Sequence, residues 1–88
     1  MIPNFIKLDT NCIINFLANI NGITIIDIQI AGKASIGVVY KNKRIFTIPR
    51  NSQMTLITFK SNFDNITRLS NNEISIDFNE LINQCGIL

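Results

Sequence analysis

Isoleucine is the residue that most restricts the fold of this chain. It occupies 19 of the 88 positions, against six for leucine. Its β-branched side chain has little rotamer freedom and packs well on the pleated surface of a sheet, so it favours strands over helices. The hydrophobic share of 47% is enough to exclude disorder, and the length suits a single core. We therefore expect one folded domain over residues 1–88, rich in β-structure.

The spacing of apolar residues predicts an α+β domain. The predicted elements are a helix over 10–21, strands over 23–30, 34–40, 44–48 and 54–60, and a helix over 77–85. Asp9 or Thr10 can cap the first helix, and Asp77 with Glu80 has capping spacing at the last one. The order α-β-β-β-(β)-α favours a mostly antiparallel sheet with helices on one face.

Two parts of this pattern lead to further expectations. In residues 23–30, the period of two places Ile26, Ile28 and Ile30 on one face, which we expect to be buried. Residues 61–72 have spacing suited to a short helical turn, and Ile74 with Ile76 suits a brief strand.

Several classes of chemistry are disfavoured by composition. The chain has no histidine, which removes the commonest general base and the commonest metal ligand. Cys12 and Cys85 lie on apolar helical stripes, so we expect packed free thiols, with a disulfide between them as the alternative. We therefore expect no enzyme, no catalytic residue, no metal site, no cofactor and no small-molecule substrate.

The charge is concentrated in the middle of the chain. The net charge is +2, but residues 33–68 carry seven cationic side chains against the single carboxylate of Asp64. A basic block in a small domain is a plausible footprint for phosphate groups, although solvated turn charges would give the same pattern. The apolar stretch over 12–30 is interrupted by polar residues, so we expect no membrane partner.

We expect the basic hairpin around residues 41–44 and the polar loop that follows Pro49 to bind RNA. Cations neutralise phosphates, while amides and hydroxyls contact base edges and 2′-hydroxyls. The aromatic residues fit the core better, so recognition of folded RNA by shape is expected. The candidate RNA-binding residues are Lys41, Lys43, Arg44, Arg50, Asn51, Ser52, Gln53, Lys60 and Arg68.

The order and spacing resemble small-subunit ribosomal protein eight, a family that binds the central domain of the small-subunit rRNA. Residues 17–23 resemble the end of that family's helix, and residues 48–52 followed by 56–60 resemble its loop and strand. Ile74-Ser75-Ile76 lies where the family's next strand is expected. The family's Ser-Thr-Ser-Lys-Gly and Gly-Gly-Glu motifs have no counterpart here.

This resemblance implies a structural ribonucleoprotein component of the small subunit that serves translation. Its partners would be rRNA and neighbouring ribosomal proteins. Because no presequence is visible and the isoleucine and asparagine content suits an AT-rich genome, we expect an organelle-encoded mitochondrial protein, or otherwise the cytoplasm of an AT-rich bacterium.

A second resemblance is to HicA-like RNA-cleaving toxins, which have the order α-β-β-β-α. Residues 32–35, 48–50 and 81–87 are similar to the three motifs of that family. Ile36 occupies the position of its catalytic histidine, so the resemblance implies an inactive or regulatory toxin–antitoxin component that binds a protein partner.

Overall fold

The computed structural model describes residues 5–41, 43–69 and 76–87, with only the backbone described at 43–45 and 65–69. The predicted α+β class is confirmed. The elements in chain order are β1 (Lys7–Asp9), α1 (Thr10–Ala18), β2 (Ile23–Ile30), β3 (Lys33–Tyr40), β4 (Lys43–Pro49), β5 (Gln53–Thr55), α2 (Leu56–Leu69), α3 (Phe78–Cys85) and β6 (Gly86–Ile87). They form two antiparallel sheets, a large one in the order β2-β3-β4 and a small one in the order β5-β1-β6.

Both predicted helix caps are confirmed. The Asp9 carboxylate accepts a hydrogen bond from the Cys12 N–H at 2.9 Å and thereby caps α1. The Asp77 carboxylate accepts from the N–H groups of Asn79 and Glu80 and caps α3. Because the first amides of a helix have no partner within the helix, each carboxylate also marks where its helix begins.

The core lies between the helices and one face of the large sheet. The fully buried side chains of the sheet include Ile36, Val38 and Ile48. Ile36 pairs with Ile48 across β3 and β4, and Val38 follows Ile36 on the same face of β3. The helices cover this face with buried apolar residues: Ile13, Ile14 and Leu17 from α1, Leu56, Phe59 and Phe63 from α2, and Leu81 and Cys85 from α3.

The predicted buried face of β2 is wrong. Ile23 is buried and Ile25 half-buried, whereas the exposed fractions of Ile26 and Ile30 are 40% and 48%. The reason is register, since Ile25 pairs with the buried Val38, and paired residues lie on the same face of a sheet. Isoleucine occupies both alternating positions of β2, and the pairing with β3 selects Ile23 and Ile25 for the core.

The predicted strand over 54–60 is also wrong beyond Thr55, because α2 begins at Leu56. Thr55 initiates the helix by accepting a hydrogen bond from the Thr58 N–H at 3.3 Å. Leu56, Phe59 and Phe63, spaced three and four residues apart, are then all buried. The helix continues to Leu69 and includes part of the predicted helical turn over 61–72. The strand predicted at Ile74 lies outside the described residues, and Ile76 precedes α3 without strand structure.

The expectation of free thiols is wrong, because Cys12 and Cys85 form a disulfide with their Cα atoms 5.4 Å apart. The apolar stripes that suggested packed thiols do bring the two residues together, since α1 packs against α3. The alternative stated for the cysteines is therefore the observed state.

Candidate nucleic-acid interface

The polar loop between β4 and β5 is held rigidly against the start of α1. Asn11 and Asn51 bond reciprocally: the Asn11 side-chain amide donates to Asn51 Oδ1 at 2.8 Å, and the Asn51 N–H donates to Asn11 Oδ1 at 2.9 Å. The buried Thr10 hydroxyl accepts from the Ser52 N–H and donates to the Ser52 carbonyl, both at 3.0 Å. These bonds use mostly backbone groups of the loop and leave Ser52 and Gln53 exposed to solvent.

Both the side chain and the backbone of Arg50 bond to other residues of this chain. Its guanidinium forms an ion pair with Asp27 of β2, and its backbone N–H donates to the Ala34 carbonyl at 3.2 Å. The side chain is 36% exposed and that of Asp27 is 84% exposed, so the pair lies at the surface. A phosphate at this point would have to compete with the carboxylate of Asp27.

An open groove of about 660 Å³ runs beside this loop at the start of α2. The antiparallel pairing of β1 with β5 places Lys7 opposite Thr55, and so brings a cation to the groove. Its lining residues are mainly polar and contain no carboxylate: Lys7, Asn51, Ser52, Gln53, Met54, Thr55 and Thr58.

The electrostatics of the groove favour an anion or a polyhydroxyl ligand. Lys7 is exposed and supplies a full positive charge. The N-terminus of the 14-residue helix α2 adds the positive end of its dipole. The Thr55 hydroxyl donates to Thr58 Oγ1 at 3.0 Å, which orients both hydroxyls at the helix start. The amide of Gln53 and the hydroxyl of Ser52 can both donate and accept.

The structure does not bring the basic hairpin and this groove together. The hairpin tip and the loop lie at opposite ends of β4, whose seven residues span about 20 Å at a rise of about 3.3 Å per residue. Lys41 at the tip has its ammonium 5.4 Å from the centre of the Tyr40 ring. The predictions for the side chains of Lys43 and Arg44 lie outside the described part of the chain.

The two candidate cations on α2 are also separate from the loop residues. The Lys60 ammonium lies 5.2 Å from the centre of the Phe78 ring of α3, and the residue is half-buried. A cation over an aromatic face is attracted by the ring quadrupole, so Lys60 helps to join α2 to α3. The backbone of Arg68 belongs to the last turn of α2, and its side chain is not among those described.

The groove therefore unites three of the nine predicted site residues, Asn51, Ser52 and Gln53, with three polar residues that sequence reasoning missed. Thr55 and Thr58 had a detectable signal, because a threonine before Leu56, Phe59 and Phe63 is a helix-start pattern. Lys7 had no such signal in the sequence, because it reaches the groove only through the pairing of β1 with β5.

Comparisons with protein-family models, curated proteins and solved structures found no match to this chain. In the described ranges, no group of three or more cysteine or carboxylate side chains is placed to hold a metal ion. No helix in the same ranges combines the length and apolar character that crossing a lipid bilayer requires.

Proposed function

We propose that this protein is a non-catalytic RNA-binding protein whose polar groove receives the sugar–phosphate backbone of a folded RNA. One observation carries the proposal: the rigid loop 51–53 shares an open groove with Lys7 and the N-terminus of α2. Helix N-termini and lysines contact phosphates, and side-chain amides and hydroxyls contact phosphates and 2′-hydroxyls. The lining contains no cysteine or carboxylate, which suits positioning rather than covalent or acid–base chemistry.

The arrangement supports a specific division of roles. Lys7 neutralises phosphate charge and the positive end of the α2 dipole attracts it, while Gln53, Ser52 and Asn51 fix the position of the backbone by hydrogen bonds. The loop is already held by Thr10 and Asn11, so little conformational entropy is lost when RNA binds.

The finer form of the proposal is a structural protein of a mitochondrial small ribosomal subunit, with rRNA and neighbouring ribosomal proteins as partners. It is supported by the loop residues shared with that resemblance, 48–52. The implied strand over 56–60 is helical here, so the proposal depends on the groove and not on that part of the resemblance.

Salt-dependent RNA binding tests the groove. We would measure the affinity of the protein for a fragment of the central domain of small-subunit rRNA between about 50 and 200 mM salt. Replacing Lys7 with alanine should weaken binding and make the slope of log affinity against log salt shallower by about 0.7–0.9, the loss of one phosphate contact. Gln53→Ala should weaken binding without changing the slope, because an amide releases no counterion.

Lys41→Ala is the matched control, because Lys41 is an exposed lysine at the opposite end of β4. It should leave the slope unchanged. The groove proposal fails if wild-type binding has a slope near zero, or if Lys41→Ala lowers the slope while Lys7→Ala does not. The second result would move the RNA contact to the hairpin.

A second candidate is a catalytically inactive toxin–antitoxin component that binds a protein partner. The observation that favours it is the order α1-β2-β3-β4 followed by α3, which contains the implied α-β-β-β-α arrangement. Ile36, at the position of the family's catalytic histidine, is completely buried in the core. Genome neighbourhood separates the candidates: ribosomal genes beside the coding sequence favour the first, and an antitoxin gene favours the second.

A further inference from the structure

The two outer strands of the large sheet differ in how their edges are protected. β4 carries Lys43, Arg44 and Pro49, and its ladder with β3 shifts register between Val38 and Val39. Edge lysines, prolines and bulges are devices by which proteins prevent unwanted strand pairing. β2 has no lysine, arginine or proline in its eight residues, and it pairs with β3 along its whole length without a shift.

The free edge of β2 offers backbone groups for pairing. Ile23 donates its N–H to the Ile20 carbonyl at 3.2 Å, so its polar groups point away from β3. In an antiparallel ladder, alternate residues direct their N–H and C=O to opposite sides, so Ile25, Asp27 and Gln29 also face the edge. Within the described ranges, no strand pairs with β2 on that side.

The side chains of β2 suit a neutral, apolar partner strand. Ile26 and Ile30 are 40% and 48% exposed on the sheet face turned away from the core, and Ile28 lies half-buried between them. The single charge of the strand, Asp27, is compensated by Arg50 of the same chain. A strand that pairs with β2 must therefore be extended, carry no uncompensated charge at the paired edge, and be apolar on the face turned away from the core. β2 itself meets each requirement.

We propose that β2 pairs antiparallel with β2 of a second copy of this chain, which joins two large sheets into one six-stranded sheet across a two-fold axis. Antiparallel pairing of identical strands is self-complementary, as a two-fold interface requires. Pairing Asp27 with itself would set like charges opposite each other. The next register that keeps matching faces of the two sheets together, and that gives the longest overlap, pairs residues 23–29 of both copies. In this register Ile26 lies opposite Ile26 of the second copy. Ile25 then exchanges backbone hydrogen bonds with Asp27 of the second copy.

Sedimentation velocity over a range of protein concentrations tests the dimer. Ile26→Lys places a charge at the seam and should raise the dimer dissociation constant by at least about tenfold. Ile57→Lys is the matched control: Ile57 is 41% exposed on α2, so the substitution and exposure are alike but the surface differs. Its dissociation constant should equal that of the wild type. Circular dichroism spectra of both variants establish that they fold.

Cysteine cross-linking tests the register independently. At a non-hydrogen-bonded position, opposite Cα atoms are about 4.5 Å apart, which a disulfide can bridge. Ile26→Cys should therefore form a covalent dimer on oxidation. Ile30→Cys should not, because the proposed register separates its two copies by about 26 Å at about 3.3 Å per residue.

The proposal is overturned if the wild type remains monomeric at the highest soluble concentration. It is equally overturned if Ile57→Lys weakens association as much as Ile26→Lys, or if Ile30→Cys cross-links as readily as Ile26→Cys. These measurements are made without RNA, so a negative result does not contradict the proposed RNA-binding groove.

Discussion

At the scale of single residues, Thr10 links the fold to the candidate site. Its side chain is fully buried, and its hydroxyl both accepts from and donates to the backbone of Ser52. The backbone N–H of Thr10 also donates to the Ser52 carbonyl at 3.0 Å. One residue therefore begins α1 and holds the loop that lines the groove, so the position of the site depends on a buried hydrogen-bonded group.

Replacing Thr10 with valine should lower the free energy of unfolding by about 1–3 kcal/mol, because the Ser52 N–H loses its acceptor and the Ser52 carbonyl loses the Thr10 hydroxyl as a donor. The measurement is urea denaturation followed by circular dichroism. Thr24→Val is the matched control, since Thr24 is exposed on β2, and it should change stability by less than about 0.5 kcal/mol. Equal losses for the two variants would mean that the Thr10 hydroxyl does not hold the loop.

At the scale of elements, α2 depends on an aromatic cluster. The Phe59 ring contacts Phe46 of β4 and Phe78 of α3 edge-on and stacks on Phe63, with ring centres 6.1–6.3 Å apart. Offset and edge-to-face contacts of this kind add about 0.5–1.5 kcal/mol per pair beyond the apolar area that they bury. Phe59 thus joins α2 to the large sheet and to α3.

We expect Phe59→Ala to lower the free energy of unfolding by about 3–5 kcal/mol, because it leaves a cavity in this cluster. Ile57→Ala should cost far less, since Ile57 is 41% exposed on the same helix. Chemical denaturation measures both. The comparison also tests the helix itself: in a strand, residues 57 and 59 would share one face, and their substitution would cost similar amounts.

The elements that the sequence predicts well are those with one dominant pattern. α1 and α3 have apolar residues at helical spacing and a carboxylate at the cap position, and both helices form where expected. β2 and the segment over 54–60 satisfy two patterns at once. Ile25 and Ile26 each fit a buried position, and residues 54–60 fit the period of two of a strand as well as helical spacing. In both cases long-range packing decides, and a local pattern contains no information about it.

The candidate site also has a part that the sequence predicts and a part that depends on long-range packing. Asn51, Ser52 and Gln53 were predictable because polar residues after a strand form a surface loop. The partner of Arg50 was not, because Asp27 approaches it only when β2, β3 and β4 align. The hairpin tip and the loop do not adjoin each other, because they lie at opposite ends of β4.

At the scale of the whole molecule, the disulfide between Cys12 and Cys85 is the longest-range covalent constraint described. It joins residues separated by 73 positions and ties α1 to α3. In the chain-entropy model, a bridge that closes a loop of this size stabilises the folded state by about 4–5 kcal/mol. For a domain whose total stability is about 5–15 kcal/mol, this is a large share.

Reduction of the disulfide should therefore lower the midpoint of guanidinium denaturation substantially, by the equivalent of about 4 kcal/mol. The measurement compares unfolding with and without dithiothreitol. A Cys12→Ser, Cys85→Ser double variant should unfold at the reduced midpoint in both conditions. A wild-type midpoint that is insensitive to dithiothreitol would show that the bridge does not form or does not constrain the unfolded chain.

The bridge also closes part of the polypeptide into a covalent ring. Residues 12–85 form the ring. A protease that cuts once within the ring opens it without releasing a fragment, so the nicked protein keeps its mass until a reductant separates the two pieces.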